Sequence, residues 1–350
     1  MKRKSGQEIM LATKPEDIFT MDIKIIKEEK EKYIEDFKPK QYKTIENFTI
    51  TKKVLLLYNE AMAKLESNES WEDYQKVTIK DVSGKEYKIH YISHSNFKLG
   101  EMYVTNQYVI YIVQSKYKKY YENYIEKTKK YSKPDMHIWE IVKYMLPDVE
   151  NHFETLDGNF AIFVKKPCEM YSLREILEYF DGYLHPEYVA SILTRLYNFN
   201  CYTNLVEMTH NAITIDNLFF SPGRFVEEGQ SYTVEDMRIV GVYGGWFFTT
   251  YFEEKLQGMP KEVYDIIPEH CKQRGYSSFE VDELAVKKLA KELLGTKLEE
   301  APKPFLDWVN SNEIAKNAYK EFCNWEKVIK SSFGIRRFVE MDVSNKKIKH

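Results

Sequence analysis

The chain has 350 residues, of which 43% are apolar and 15% aromatic, and its formal net charge at pH 7 is -3. This length and apolar content suffice for packed cores, and the small net charge excludes a strong overall attraction to nucleic acid or acidic lipid. The 27 tyrosines and 20 phenylalanines indicate a folded chain, because disordered segments contain few aromatic residues.

Cysteine spacing and the N-terminal segment bear on location. The four cysteines (Cys168, Cys201, Cys271 and Cys323) lie far apart and form no Cys-x-x-Cys pair, so reduced and mostly buried thiols are expected. The basic residues near the N-terminus precede no apolar segment of the signal-peptide type, and no run approaches the roughly eighteen apolar residues of a membrane span. We therefore expect a cytoplasmic protein with no membrane partner.

Residues 14–66 are predicted to form a small helical domain. A helix start at Pro15, a charged helix from Asp22 to Asp36 with one apolar stripe, and an amphipathic helix from Lys53 to Leu65 follow one another. Pro39 is expected to end the second of these helices.

Two helices joined by a proline-containing loop resemble a J-domain, the module that stimulates chaperone ATPases of the heat-shock class. The His-Pro-Asp signature of that family is replaced here by Lys38, Pro39 and Lys40. The resemblance implies that chaperone stimulation is lost, because a lysine reverses the charge of the aspartate. We expect a packing or docking module, and an unrelated helical hairpin is the alternative.

Residues 72–166 alternate between apolar and polar side chains, as strands do. The segments 77–82 and 87–91 flank a turn at Ser83 and Gly84 and predict a β-hairpin. Further strands are predicted at 99–105, 108–113, 149–153 and 159–164.

The stretch from Ser115 to Lys133 contains seven lysines and two glutamates, interleaved with tyrosines. Basic residues among aromatic ones can bind phosphate backbones and stack bases. The alternative, which we favour, is one amphipathic helix with a solvated lysine face and an inward stripe. The stripe comprises Tyr117, Tyr120, Tyr121, Tyr124 and Ile125.

The pattern becomes helical after residue 171. Ser172 and Glu175 form a capping-box signature, which predicts a helix to Phe180. Pro186 suits the first turn of a following helix. Further helices are predicted at 187–207, 277–295 and 304–343.

The segment from Thr209 to Gly245 places polar residues on a turn between short apolar strands. It contains His210, Asn217 and the tripeptide 242–244, which reads Val-Tyr-Gly. This order resembles the catalytic and metal loops of the protein-kinase-like fold, in which His-Arg-Asp is followed by four residues and then Asn, and further on by Asp-Phe-Gly.

Aligned with that pattern, the chain keeps scaffold residues and lacks both catalytic carboxylates. His210 matches the loop histidine and Asn217 the metal-binding asparagine, whereas Ala212 replaces the catalytic aspartate. Val242, Tyr243 and Gly244 replace Asp-Phe-Gly. Phosphoryl transfer on this fold needs one aspartate for the acceptor hydroxyl and another for Mg²⁺. The resemblance therefore implies a pseudokinase with no catalytic residues and no metal site.

Four further positions follow from the resemblance. Gly100 alone stands for the glycine-rich phosphate loop, Ile112 occupies the expected place of the strand lysine, and Glu126 that of the helix glutamate. Asp282 matches the aspartate that in the family ties down the catalytic-loop backbone.

The implied fold class is α+β: a bilobal protein-kinase-like domain preceded by a small all-helical J-like domain. The small lobe is expected at 72–166 and the large lobe at 167–343. No cofactor is expected, although metal-free nucleotide binding between the lobes would be compatible with this fold. The expected partners are proteins, and nucleic acid is not expected.

Two other functions remain open at the level of sequence. In a divergent phosphotransferase, Asp216 could replace a lost carboxylate, with Asp236 or Glu235 as substitutes. In a nucleic-acid-binding protein, the basic stretch 115–133 would contact phosphates, and binding would weaken steeply with salt.

Overall fold

The computed structural model describes residues 4–37, 45–67, 75–129, 131, 136–167, 170–221, 240–334 and 341. Within these ranges the helices are α1 (Gly6–Leu11), α2 (Ile26–Phe37), α3 (Ile45–Ser67), α4 (Lys118–Lys129), α5 (Met136–Val142), α6 (Leu173–Tyr179), α7 (Pro186–Leu205), α8 (Lys261–Tyr264), α9 (Glu269–Arg274), α10 (Phe279–Leu294), α11 (Lys303–Asn310) and α12 (Ala318–Phe333). The strands are β1 (Gln75–Lys80), β2 (Glu86–Tyr91), β3 (Ser93–Phe97), β4 (Gly100–Val104), β5 (Tyr108–Val113), β6 (Asp148–Glu154), β7 (Phe160–Lys165), β8 (Tyr171–Ser172), β9 (Met208–Thr209), β10 (Leu218–Phe220), β11 (Val240–Val242) and β12 (Thr250–Tyr251).

The N-terminal helices α1, α2 and α3 pack around a core of their own. Phe19 lies at its centre, with its ring edge-on to Tyr33 and Tyr58 at centroid distances of 6.0 and 6.1 Å. The predicted helices are therefore present, although the start predicted at Pro15 is a single 3-10 turn and α3 begins earlier than expected. The J-like motif, Lys38, Pro39 and Lys40, lies outside the described residues, so that resemblance stays a prediction.

A five-stranded antiparallel sheet with the order β3-β4-β5-β7-β6 forms the next part of the chain. Four of its strands match the predicted ones. The fifth, β3, was not predicted, because Ser-His-Ser-Asn-Phe lacks an apolar alternation. The predicted hairpin β1-β2 is a separate two-stranded sheet, which joins the β6-β7 turn through main-chain hydrogen bonds at Val82 and Leu156.

The two faces of the five-stranded sheet pack against different partners. Ile110 and Phe163 on one face pack with Ile79 and Ile89 of the hairpin. The opposite face, which includes Tyr111, joins the main core formed with the helices. The sheet is therefore buried between the hairpin and the helical region.

The helical region is built around α7, α10 and α12. The helices α6, α7 and α10 confirm the predicted ones, and the predicted capping box of Ser172 and Glu175 is present at the start of α6. Trp325 of α12 stacks on Tyr197 of α7 and donates an indole hydrogen bond of 3.0 Å to Thr194. The segment predicted to be helical at 304–343 contains, in its described part, the two helices α11 and α12, which are separated by residues 311–317.

The described chain thus has a mixed α/β architecture, with an N-terminal helical unit, a sheet-rich lobe and a helical region. Small antiparallel sheets, β8-β10-β11 and β9-β12, lie within the helical region. In the part of the chain that is described, no helix combines the length and apolar character needed to cross a membrane.

Candidate functional site

One carboxylate of α10 holds the backbone of the loop after β9 through hydrogen bonds. Asp282 accepts main-chain hydrogen bonds from His210 at 2.7 Å and from Asn211 at 2.9 Å. The carboxylate is buried, and burial raises the pKa of Asp282 to about 7, while the two amide hydrogen bonds act in the opposite direction. The structure therefore places Asp282 in the backbone-anchoring position that the resemblance assigned to it.

His210 is a structural residue held inside the core. Its ring lies edge-on to Phe199 and Trp246, and its Nε2 lies 3.0 Å from the main-chain oxygen of Gly244. Burial lowers the pKa of His210 to about 3, so the imidazole is neutral. Its Nε2–H group donates a hydrogen bond to the main-chain oxygen of Gly244. This bond connects the loop after β9 to the segment after β11.

Asn211 turns the chain at this point. Its φ of 64° is left-handed, a conformation that asparagine tolerates better than most residues. Its side-chain amide donates to the main-chain oxygens of Thr209 and Phe248 and to the hydroxyl of Thr250. The Ser277 hydroxyl donates to its carbonyl oxygen. The side chain of Asn211 is therefore fully used inside the fold.

The position that the resemblance matches to the catalytic aspartate is buried and crowded. Ala212 has no exposed side-chain surface. A Cβ atom on Gly245, whose φ is 79°, would lie 2.7 Å from the Ala212 Cβ. The two chain segments therefore touch directly at this point, and the methyl group of Ala212 offers no polar atom there.

Asn217 also serves the loop itself. Its amide nitrogen donates to the main-chain oxygen of Ala212 at 2.9 Å and to the Thr214 hydroxyl at 3.0 Å. A Cβ on Gly244 would lie 2.5 Å from the Asn217 Oδ1, so glycine is required where the two segments cross. The donor hydrogens of the residue matched to the metal-binding asparagine thus stabilise a turn.

The tripeptide matched to Asp-Phe-Gly is a packed element. Val242 pairs with Leu218 in the β10-β11 ladder, and its side chain is fully buried. Tyr243 stacks on Phe219 with a centroid distance of 5.6 Å. The Gly244 amide donates to the main-chain oxygen of Asn217 at 3.0 Å. A buried valine cannot bind Mg²⁺, which takes oxygen ligands.

Aromatic rings fill the space between β5 and α4, the strand and the helix to which the resemblance assigned a lysine and a glutamate. Tyr111 of β5 packs against Tyr124 of α4, and Phe247 packs against both at 5.4 and 4.7 Å. Phe97 of β3 completes the group through its contacts with Tyr111 and Phe247. We call these four residues the aromatic cluster. Tyr111, Tyr124 and Phe247 are each at most 2% exposed.

The side chains of Ile112 and Glu126 do not face the space between β5 and α4, where the assigned lysine and glutamate would meet. Ile112 packs with the hairpin on the far side of the sheet, and its neighbour Tyr111 faces α4 instead. Glu126 lies on the outer surface of α4, 3.5 Å from the Lys127 ammonium. Gly100 also has a local role, because a Cβ there would lie 1.9 Å from the Ile112 main-chain oxygen.

One face of α4 holds the segment that follows β11, a set of contacts that sequence reasoning missed. Asn123 donates to the main-chain oxygens of Trp246, Phe247 and Thr249. Tyr124 donates to the Tyr243 oxygen at 2.7 Å. The spacing of α4 residues that face inward was visible in the sequence, but their acceptors lie more than a hundred residues away.

Lys127 completes that face of α4 and is 3% exposed. Its ammonium lies 2.9 Å from a carboxylate oxygen of Glu254 and 3.7 Å from the ring centre of Tyr251. Hydrogen bonds from Lys127 and from the Tyr251 amide hold the pKa of Glu254 below its usual range, although burial acts in the opposite direction. This lysine belongs to the interior, not to a solvated basic surface.

Of the three carboxylates considered as substitutes, the structure describes Asp216. Both oxygens of Asp216 contact the Arg174 guanidinium, one of them at 2.7 Å, and both residues are about half exposed. Asp236 and Glu235 lie outside the described residues. Among the residues that the structure describes, no three His, Cys, Asp or Glu side chains group as metal ligands would.

No protein-family model matches the chain, and no curated protein matches it. Among solved structures the chain is similar to one titled "Structure of vaccinia related kinase 3", with 13% sequence identity and a TM-score of 0.47. The match covers 77% of this chain and 94% of the other.

The described elements can be compared with the order that the sequence resemblance predicted. Helix α4 lies between β5 and β6 in the chain and packs on the inner face of the five-stranded antiparallel sheet. The sheet is followed by helices, a loop anchored by Asp282, and a β10-β11 pair that leads into Tyr243 and Gly244. The described chain therefore has a sheet-rich lobe followed by a helical region, and we return to the protein-kinase-like resemblance under the proposed function.

Proposed function

We propose that the chain is a pseudokinase, which keeps a protein-kinase-like fold without phosphoryl transfer and acts by binding other proteins. The observation that carries the proposal is the state of the two positions matched to catalytic aspartates. Ala212 and Val242 are buried, apolar and packed against neighbouring backbone. Neither can orient an acceptor hydroxyl or hold Mg²⁺.

The aromatic cluster supports the same proposal. In active kinases a lysine on the third strand pairs with a helix glutamate and contacts the nucleotide phosphates. Here Tyr111 and Tyr124 meet between the corresponding strand and helix. Their rings are uncharged and packed, so they offer phosphate groups no compensating charge.

Enzymatic turnover and nucleotide binding test the proposal separately. The full-length chain is incubated with ATP and Mg²⁺, and ADP formation is measured. Thermal unfolding is compared in ATP with Mg²⁺ and in ATP with EDTA. We expect no ADP above the background rate and the same unfolding temperature in both buffers. ADP formation, or a stabilisation that EDTA removes, would contradict the proposal.

The divergent-phosphotransferase alternative depends on Asp216. Its carboxylate already contacts Arg174, which reduces its availability for a metal ion or a substrate hydroxyl. If any ATP turnover is seen, its rate is measured in the variant Asp216→Asn and in the control variant Asp181→Asn, which changes another site. Turnover lost only in Asp216→Asn would establish the alternative.

The nucleic-acid alternative is weakened by the state of its lysines. Lys127 is buried in an ion pair, and Lys118 lies 3.9 Å from Glu122. Lys130 and Lys133 lie outside the described residues. Fluorescence anisotropy with single-stranded RNA and DNA at 50 and 200 mM salt tests this alternative. Binding to phosphates would lose affinity steeply between these two salt concentrations, and we expect no such binding.

The N-terminal helical unit is proposed as a packing or docking module, because it has a core separate from that of the sheet and helical region. Partner capture by the full chain can be compared with capture by a chain that lacks residues 1–67. Partners lost on truncation, while the remaining chain keeps its unfolding temperature, would support a docking role. Unchanged partners would assign the unit to packing alone.

A further inference from the structure

A groove of about 790 Å³ lies on the helical region. Five residues of α10 contribute to it at helical spacing (Glu280, Leu284, Lys287, Lys288 and Lys291). Asp282, which anchors the loop after β9, lies two residues from Glu280 and from Leu284 and therefore faces the other side of the helix. The groove is thus separate from the kinase-like site.

The floor of the groove is apolar. It is formed by side chains from four parts of the chain: α10, the connection between α8 and α9, α11, and the segment after α11. The residues are Ile266, Pro268, Leu284, Val309 and Ile314. A volume of this size is within the range of sites that hold small molecules or several side chains of a peptide.

The charged residues of the groove are mostly cationic. Lys287, Lys288 and Lys291 line it, together with one acidic side chain, Glu280. Glu280 lies 3.3 Å from the ring of His270, which also lines the groove. The lining therefore carries an excess of positive charge around an apolar floor.

The three lysines differ in how far their charge is compensated. Lys287 donates to main-chain oxygens of Ser311 and Glu313 and lies 3.8 Å from the Glu321 carboxylate. Lys288 donates to a main-chain oxygen and Lys291 is exposed. Neither of these two lies within 4.0 Å of a described carboxylate, although burial raises the pKa of Glu292 and the Lys288 charge acts to lower it. A main-chain carbonyl does not neutralise an ammonium group. They are therefore the charges available to a ligand.

We propose that this groove binds an acidic segment of a partner protein. Apolar side chains of that segment would pack on Leu284 and Ile314, and its carboxylates would face Lys288 and Lys291. Complementary charge would direct the encounter and fix the orientation, while the apolar contacts would supply most of the affinity. The proposal rests on the proposed function, because it names the chemistry of the partner that a non-catalytic protein would bind.

An unbiased peptide selection tests the proposal. The full-length chain is used to select from a phage-displayed library of random twelve-residue peptides. Enriched peptides are then measured by fluorescence polarisation. The test variant is the double charge reversal Lys288→Glu with Lys291→Glu, and its matched control is Lys297→Glu with Lys303→Glu. All four lysines are at least partly exposed, and equal unfolding temperatures verify that both variants fold.

We expect enriched peptides that combine acidic and apolar residues, with affinity reduced at least about tenfold in the groove variant and unchanged in the control. The single variant Leu284→Ala should weaken the same peptides at unchanged charge. The proposal fails if no acidic peptides are enriched, or if they bind both double variants equally.

Other occupants give distinguishable results. Inorganic phosphate that competes with the peptides at millimolar concentration, without any effect of Leu284→Ala, would indicate an anion site and overturn the proposal. A dimer in the untreated chain that the groove variant abolishes, with no peptide enrichment, would indicate a second copy and also overturn it. The ATP measurements are made on the same samples, so failure of the pseudokinase proposal is detected independently of the groove.

Discussion

Tyr124 of α4 packs against Tyr111 of β5 with ring centroids 5.9 Å apart, and Tyr124 also donates a hydrogen bond to the main-chain oxygen of Tyr243. An active kinase places a lysine and a glutamate on the corresponding strand and helix, where their charges hold ATP. Here the contact is hydrophobic and joins the sheet, α4 and the segment after β11. The region between the lobes is therefore part of the core at this point.

The two hydroxyl groups of this pair differ, and conservative substitutions should separate them. The Tyr111 hydroxyl is buried without a hydrogen-bond partner among the described residues, whereas the Tyr124 hydroxyl is bonded. Tyr111→Phe should therefore stabilise the chain by about 1 kcal/mol, and Tyr124→Phe should destabilise it by about 1 to 2 kcal/mol. Urea denaturation measures both. A loss of stability in Tyr111→Phe would mean that its hydroxyl has a partner, such as a buried water.

The contacts of Asn123 predict a local effect on the segment after β11. Its amide nitrogen lies 3.0 to 3.2 Å from three main-chain oxygens of that segment. Asn123→Ala should destabilise the chain by about 2 kcal/mol, because it leaves buried carbonyl groups without a donor. Hydrogen exchange should accelerate in residues 246–251 more than in α7. Glu122→Ala on the exposed side of α4 is the control, and equal acceleration in both variants would contradict this role for Asn123.

Asp282→Asn tests the anchor of the loop after β9. An asparagine has one acceptor oxygen, and its amide group would face the second main-chain N–H, so at least one of the bonds to His210 and Asn211 is lost. We expect a loss of about 2 to 3 kcal/mol at pH 7. The exposed control Glu299→Gln should change stability by less than about 0.5 kcal/mol. Similar values for the two variants, from denaturant titrations, would show that the carboxylate is dispensable.

Local sequence signals predicted the helical region well. The capping box of Ser172 and Glu175 and the apolar spacing in α7 and α10 depend on neighbours within a few turns, and these elements are present as expected. The separation of α11 from α12 was missed, since aromatic residues continue through both helices. The polar strand β3 was missed because its stability comes from pairing with β4, not from its own composition.

The site was predictable in part, for a similar reason. The motif spacing identified His210, Asn217 and Gly244, and the structure brings the three together. The sequence did not determine which residues of β5 point to which face of the sheet. An error of one residue in the alignment exchanges the two faces of a strand. That error exchanged Ile112 for Tyr111. The burial of Lys127 depends on Glu254, which no local pattern connects to α4.

The pKa values of the loop predict how stability depends on pH. For Asp282 the folded value of about 7 lies above the ordinary 3.8, so its contribution is fully present at low pH and is lost as pH rises towards about 7. For His210 the folded value of about 3 lies below the ordinary 6.5, so its contribution is lost as pH falls below about 6.5. The two residues oppose each other between about pH 4 and 6.5.

Comparison with Asp282→Asn isolates one of these contributions, because the variant keeps His210. The stability advantage of the natural chain over the variant should be greater at pH 5 than at pH 8, by roughly 2 kcal/mol. Urea denaturation of both proteins in matched buffers measures the difference. An advantage that is constant, or greater at pH 8, would show that the Asp282 carboxyl is ionised throughout this range in the folded chain.

Aspartates placed at the two positions matched to the kinase aspartates should damage the fold, and under the proposed function they should give no activity. Ala212 is buried against Gly245, and Val242 is buried within a ladder, so a carboxylate at either position would have no water and no designed partner. We expect Ala212→Asp to cost at least about 3 kcal/mol in urea denaturation at pH 8, with less loss at pH 5 where the acid can be neutral. Ala212→Val separates crowding from charge, because its loss should not depend on pH. The double variant Ala212→Asp with Val242→Asp should give no stabilisation by ATP and Mg²⁺; a stabilisation that EDTA removes would mean that the site accepts nucleotide and lacks only its carboxylates.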